Sequence, residues 1–343
     1  MCIIIVMKKL FVVVVLFLGI AVVAISFSEL ETIMLTLQKS HLRYFFLAII
    51  IQMIWFVTTA RMYQSIFHLL GVHESILALS HIATAANFIN VVAPTAGMGG
   101  VALFASEARR RGHPAGKVTV AAALFLLLDQ AAFLCVLALG LIILTRRNDL
   151  GAGEISASLF LLGTAITYAF VLYIGYRSEE KLGNLLAKIA RGINRLVKFF
   201  RKEEYLSEIR AHEFAHEVSE GFAGLTEKPS SLIRPILWGI LDKALLMLIL
   251  VCAFLSFEVP FSAGTIIAGF SIAYLFLIVS PTPSGIGIVE GLMPVALTSL
   301  SVDWSQAVVI TLTYRTVTFW IPFGIGAWAF RSLHTAGEEP AAV

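Results

Sequence analysis

Two charges stand alone in this chain. Asp129 is the only residue ionised at neutral pH between Val118 and Thr145, and Arg315 is the only one between Ser305 and Phe330. A charge at the depth of a membrane costs roughly 2.5–3.5 kcal/mol or more, so each must be paired or face water. The remaining chemistry-bearing residues gather at two breaks. The first reads Pro94-Thr95-Ala96-Gly97-Met98-Gly99-Gly100, with Asn87 and Asn90 before it and Glu107 after it. The second reads Pro281-Thr282-Pro283-Ser284-Gly285-Ile286-Gly287, with Glu290 after it and Tyr314 beside Arg315. Such residues suit the holding of a polar head group. Arg315 offers an anion a charge-assisted contact. Helix ends left within the membrane carry roughly half an elementary charge, so backbone donors after Gly97 and Gly285 can hold a phosphate. Two structural alternatives stand beside this. Asp129 and Arg315 can form a permanent salt bridge between the two halves, and the amides and carboxylates can cap broken helix ends, a job that suits the asparagines better.

No catalytic constellation emerges, and the chain reads as a non-enzyme. His212-Glu213-Phe214-Ala215-His216 matches the short H-E-x-x-H zinc pattern. It falls in a charged linker and has no convincing third ligand, with Glu220 a weak candidate. Cys2, Cys135 and Cys252 lie in or beside apolar runs without metal spacing. No metal site and no cofactor are expected. There is no P-loop pattern, which argues against direct ATP hydrolysis.

The elements that position these residues are membrane spans. Apolar residues make up 59% and charged residues 14% of the 343, with mean hydropathy +0.90, too little charge to cover a soluble surface of this size. Spanning helices are expected at about 10–27, 42–60, 117–145, 155–176, 232–256 and 305–330, each long enough to cross roughly 30 Å of hydrocarbon. Lys8 and Lys9 precede the first, which reads as an uncleaved helix. Stretches 76–108 and 264–302 are apolar but broken by Pro and Gly. Each is a re-entrant hairpin or a pair of short crossing helices, and both options return the chain to the side it came from. A cytoplasmic N-terminus places Lys8, Lys9, Arg61, Arg109 to Arg111, Lys117, the basic linker and Arg331 inside, leaving Lys39, Arg43, Arg146 and Arg147 outside. Both termini are thus expected in the cytoplasm, in a multi-pass protein of the cell membrane. Asp242 and Lys243, near the start of their helix, read as interfacial.

The fold class expected is an all-α transmembrane bundle forming a single membrane domain over 1–343. Residues 1–41 form the first helix and outer loop, 42–145 one repeat, 155–176 a connecting helix, 177–231 a cytoplasmic linker and 232–331 a second repeat. The repeats are matched by their breaks, by Trp55 and Trp238 upstream, and by Asp129 and Arg315 downstream. They enter from opposite sides, and paired breaks in inverted repeats point to a transporter's central site. In the linker, Leu182, Leu185, Leu186, Ile189, Ile193, Leu196, Val197 and Phe200 form an apolar stripe opposite Lys188, Arg191, Arg195, Lys198, Arg201 and Lys202. A basic amphipathic helix of this kind lies well on an anionic leaflet.

The run Pro281 to Gly287 with Glu290, the pair Tyr314-Arg315, and Phe319-Trp320-Ile321-Pro322 resemble the flippase-like membrane domain known as the transmembrane region of lysylphosphatidylglycerol synthases. Pro94, Gly99-Gly100 and the turn Arg109-Arg110-Arg111-Gly112 carry the resemblance in the first half. It implies movement of amphiphilic lipids, such as aminoacyl-phospholipids or polyprenyl-linked sugars, between leaflets. The chain ends soon after its last helix and shows no synthase domain, so it is expected to move such lipids rather than make them. Val101-Ala102-Leu103-Phe104 follows the Gly pair where some members carry a charge, which leaves the lipid class open. The expected partners are membrane lipids, anionic ones first, together with a lipid-synthesis enzyme, and no nucleic acid. An accessory protein of a lipid or envelope pathway and a membrane-embedded enzyme are the alternatives. The expected site is a laterally open cavity in which Gly285→Val and Arg315→Ala abolish translocation without unfolding the protein.

Overall fold

The computed structural model describes residues 41–92, 98–147, 151–197, 232–280 and 282–338, together with residues 212, 213, 215, 216, 218, 219 and 222 of the linker. The expected helix at 10–27, Pro94, Gly97 and Pro281 lie outside the described residues. Everything regular among those described is helical: α1 (Leu42–Leu69), α2 (Ile76–Val92), α3 (Met98–Arg110), α4 (Ala115–Arg147), α5 (Ala152–Arg177), α6 (Glu179–Val197), α7 (Ile233–Ser256), α8 (Ala263–Val279), α9 (Ile288–Ser299), α10 (Trp304–Arg315) and α11 (Ile321–Glu338). Among the described residues, five stretches are long and apolar enough to cross a membrane: Leu42–Leu69, Gly116–Arg146, Ala152–Arg177, Ile233–Ser256 and Trp304–Leu333.

The bundle buries a mostly apolar core with a few polar side chains set in it, and turns large apolar side chains outward as well. Along α1, Leu42, Phe46, Ile50, Ile54 and Val57 recur every three or four residues and are exposed. The opposite face buries Phe45, Ala48, Gln52, Tyr63 and Ile66. Helix α7 exposes Leu237, Ile240, Leu241 and Leu248, yet buries Asp242 and Lys243. Such a chain is solvated by hydrocarbon, where exposed Leu and Ile cost nothing and polar groups must find partners within the protein.

Helices α1 and α7 form the most extensive pairing, and the rest are arranged around them. Helix α2 packs on α3 and on α11, while α8 packs on α9 and on α4. Each broken stretch is therefore two short helices lying against one another and against a long helix of the other half. Gly140 makes one such approach possible. A Cβ there would stand 2.4 Å from Ser271 Oγ, so only hydrogen lets α4 and α8 meet.

The last span is not uniform. Residues Thr316–Trp320 form a π-helical turn in which the Ile321 N–H donates to the Thr316 carbonyl, five residues back. Pro322 has no N–H, and its ring crowds the carbonyl four residues earlier, so a widened turn just before it relieves the clash. Thr316 and Thr318 donate their hydroxyls to the Leu312 and Tyr314 carbonyls, at 2.7 and 2.8 Å.

Part of the linker packs on the bundle. Leu182 belongs to one buried cluster with Ala215, Val218 and Phe222 of the linker's later part, with Ile66 and Phe67 of α1 and with Leu70 just beyond it. Ile189 of the expected apolar stripe is exposed beside Lys188 and Arg191. His216 Nδ1 lies 2.9 Å from Glu179 Oε1, so the second histidine of the H-E-x-x-H run ties the two parts of the linker together.

At one end of the bundle the loops are joined by charge. Glu74 Oε1 sits 2.9 Å from His113 Nε2, and Glu74 Oε2 is 3.6 Å from Arg111. Glu107, on α3, accepts from Arg110 and Arg111. Burial alone would raise the Glu74 pKa; the hydrogen bond with His113, the nearby Arg111 and the Ser75 N–H outweigh it and hold the carboxyl below its usual range. A depressed carboxylate contributes stability above its unfolded pKa and loses it as pH falls through the folded value. Glu74→Gln should therefore lower stability at neutral pH by about 0.5–1 kcal/mol, the scale of a partly screened pair. In thermal melts the two proteins should differ at pH 7 and converge below about pH 4.

Candidate functional site

The centre of the site is a buried arginine. Arg315, the last residue of α10, is 2% exposed, and its Nε lies 2.5 Å from Glu290 Oε1 on α9. Its Nη2 donates to the Ser284 carbonyl at 3.1 Å, and the guanidinium lies over the Phe319 ring, 4.4 Å from its centroid. A guanidinium has five N–H bonds, and these contacts use two.

The second break is built around this pair. Glu290 Oε2 accepts from the Gly287 N–H at 2.8 Å while its other oxygen holds Arg315, so one carboxylate caps α9 and neutralises the cation. Gly285 and Gly287 have φ of 71° and 78°, and Ser284, with φ 48°, adopts a left-handed conformation without being glycine. The strain is of order 1–3 kcal/mol, and it turns the Ser284 carbonyl towards Arg315. The N-terminus of α9 is therefore occupied by a carboxylate, not bare as a phosphate cradle requires.

At the first break the corresponding work is done by an amide. Asn90 Oδ1 accepts from the Gly100 N–H at 2.7 Å, across the break from α2 to α3. A Cβ on Gly100 would stand 2.6 Å from Asn90 Nδ2, so the glycine admits the cap. Gly99 lies in the same first turn of α3.

Beside Arg315 is a cavity of about 110 Å³. It lies between α1, α2, α7, α8, the 283–285 turn, α9 and α10, and Trp55, Asn87, Tyr274, Ser284, Tyr314 and Arg315 supply its polar lining. A water needs about 10–15 Å³ of such space, so several waters or one small polar head fit and acyl chains do not. The Trp55 indole N–H is buried and has no hydrogen-bond partner. Such a donor costs about 1–3 kcal/mol, which an acceptor in the cavity would recover.

Of the residues singled out from the sequence, Asn87, Tyr314 and Arg315 line this cavity, with Glu290 and Gly285 directly behind it. Gly287, Asn90 and Gly100 serve the caps. Glu107 belongs to the loop cluster, away from the cavity. Asp129 is not paired with Arg315. It contacts Lys243 Nζ at 2.6 Å, and Lys243 also holds Asp242 at 3.1 Å. Asp242 and Lys243 are 2% and 1% exposed, not interfacial, because the tenth and eleventh residues of α7 lie well inside the span. Trp55 and Tyr274 were missed as site residues: both are ordinary core types, and only packing around a void distinguishes them.

These findings bear on kinship. The sequence matches the family described as the lysylphosphatidylglycerol synthase TM region over residues 9–326. The chain belongs to that family. No curated protein and no solved structure matches it. The matched stretch of this chain runs through both breaks and includes Glu290, Arg315 and the residues that line the cavity.

Gly285 is not a clean position for testing binding. Its Cβ would meet Val289 Cγ2 at 2.6 Å and the Leu277 backbone at 3.1 Å, on top of the positive φ. Gly285→Val should fail to give a monodisperse peak on size exclusion. Gly287 has the same φ sign but nothing within 4 Å of a Cβ, so Gly287→Ala should remain monodisperse and lose only about 1–3 kcal/mol.

Proposed function

We propose that this protein moves an amphiphilic lipid with an anionic head group between membrane leaflets, and that the cavity beside Arg315 shelters the head. The observation that carries the reading is the pairing of an unpartnered Trp55 N–H with a buried guanidinium that has donors to spare, around one small void. Both offer N–H donors to an acceptor-rich group such as a phosphate, while Glu290 already balances the guanidinium's charge. Tails need no cavity, since they can trail into the bilayer. The family's description names a lipid whose head group carries a phosphate, which supports an amphiphilic, phosphate-bearing substrate.

Two further features agree with this. The helix pairings come in matched sets, α2 with α3 and α11 against α8 with α9 and α4, about the central α1–α7 pair. That supports an inverted repeat with two re-entrant stretches, an architecture suited to alternating exposure of a central site. A second, wider cleft of about 850 Å³ is lined by Arg61, His68, Arg234 and Trp238 at the ends of α1 and α7. In the orientation expected from the positive charges it faces the cytoplasm, where it can collect anionic lipids. A role as accessory to a lipid-pathway enzyme would need no such cavity.

The test must separate binding from folding. Arg315→Ala leaves Glu290 buried and unpaired, a loss of about 3–5 kcal/mol, so it reports on stability as much as on transport. The double variant Glu290→Gln, Arg315→Gln keeps both polar side chains and removes both charges. In proteoliposomes carrying labelled phosphatidylglycerol, wild type should equilibrate the label between leaflets. The double variant should slow this at least tenfold while melting within a few degrees of wild type. A well-folded double variant that moves the anionic lipid at the wild-type rate would put the head-group site elsewhere.

A further inference from the structure

A second set of charges lies at membrane depth and has no part in the cavity's own chemistry. The Lys243 ammonium donates its three N–H bonds to Asp129 Oδ1 at 2.6 Å, Asp242 Oδ2 at 3.1 Å and Tyr274 Oη at 2.9 Å. The other Asp242 oxygen accepts from Thr59 at 2.9 Å. Four helices, α1, α4, α7 and α8, meet here.

The charges do not balance. Two carboxylates face one ammonium, which leaves one negative charge over when all three are ionised. The Glu290–Arg315 pair is balanced within itself and has no cation to lend. Among the described residues, the other ionisable groups around the cluster are Tyr63 from α1, Tyr274 from α8 and Tyr314 from α10. All are phenols, neutral at physiological pH. An uncompensated charge inside a membrane is costly, and one bound cation removes it. A metal ion fits badly, because the ammonium already occupies the middle of the cluster and metals such as sodium or calcium want several oxygens at once. A proton needs a single oxygen.

We propose that the Asp129–Lys243–Asp242 cluster binds one exchangeable proton, on Asp129, and that this proton is the ion coupled to lipid movement. Asp242 is held on both oxygens and its side chain is 4% exposed. The Asp129 side chain is 23% exposed and uses only Oδ1, so of the two carboxylates it is the one with an oxygen left for a proton. Protonation weakens its hold on Lys243 and shifts that ammonium towards Asp242 and Tyr274. Tyr274 also lines the head-group cavity, so the change arrives at the site within one side chain. Proton binding stands on the cluster alone, whereas the coupling rests on the transport reading.

Two measurements on the full chain separate these claims. In lipid nanodiscs, infrared difference spectra taken while pH is lowered should show the carbonyl band of one protonated carboxylic acid. The band should vanish in Asp129→Asn and persist in Glu258→Gln, an exposed control. Asp129→Asn should fold, because it leaves Lys243 and Asp242 as a balanced pair with an amide oxygen still accepting. In vesicles of phosphatidylcholine and phosphatidylglycerol with labelled phosphatidylglycerol, an imposed pH gradient should change the wild-type rate several-fold and leave Asp129→Asn unaffected. A wild type without a titrating band, or a band that survives Asp129→Asn, overturns the proton site. A band in a protein that moves lipid indifferently to the gradient overturns the coupling. A band in a protein that moves no lipid upholds the site and sinks the transport reading alone.

Discussion

The two-handed grip of Glu290 is the interaction on which the rest of the site depends. One oxygen satisfies the backbone of a helix that begins inside the membrane, and the other neutralises the arginine that would otherwise be stranded there. Hydrocarbon offers neither service, and each unmet polar group would cost several kcal/mol. The break, the cation and the void beside them are therefore one unit. Removing the carboxylate would expose a helix end and an unpaired charge together.

The first break solves the same backbone problem without charge. Asn90 caps Gly100 with a neutral amide, where Glu290 at the second break caps with a carboxylate that also holds Arg315. The charge of the first half, Asp129, instead meets Lys243 from α7. Two electrically different centres result, a balanced pair beside the cavity and an unbalanced triad one helix away. Tyr274 touches both: its hydroxyl oxygen accepts from Lys243, its ring lies 4.7 Å from the ammonium, and part of its surface lines the cavity.

Packing explains why polar groups gather at this depth. The outer faces of α1, α5 and α7 are Leu, Ile and Phe, so only the inner faces can carry function, and the closest helix pairing, α1 with α7, brings Trp55, Thr59, Asp242, Lys243 and Leu246 together. The linker adds no chemistry to this centre. Among the described residues, Leu182, Ala215, Val218 and Phe222 pack against the end of α1.

Much of this was legible in the sequence. Hydrocarbon imposes a single length and a single polarity on anything that crosses it, so uncharged runs located α1, α4, α5, α7 and the α10–α11 span, and Pro-Gly clusters located both breaks. The rarity of charge within spans marked Arg315 and Asp129 as important for the same reason. Their partners were not legible. Asp129 and Arg315 sit at matched places in the two halves and suggested each other, but pairing depends on which helix faces which, and that is set by side-chain shape over long distances in the chain. Asp242 and Lys243 concealed themselves as adjacent opposite charges that looked neutral and superficial. Trp55 was legible only as a mark of the repeat, and Tyr274 carries no signal beyond being aromatic. Only the tertiary structure decided that Glu290, not Asp129, holds Arg315, because an ion pair forms where geometry closes to hydrogen-bond distance, and spacing along the chain does not encode that distance.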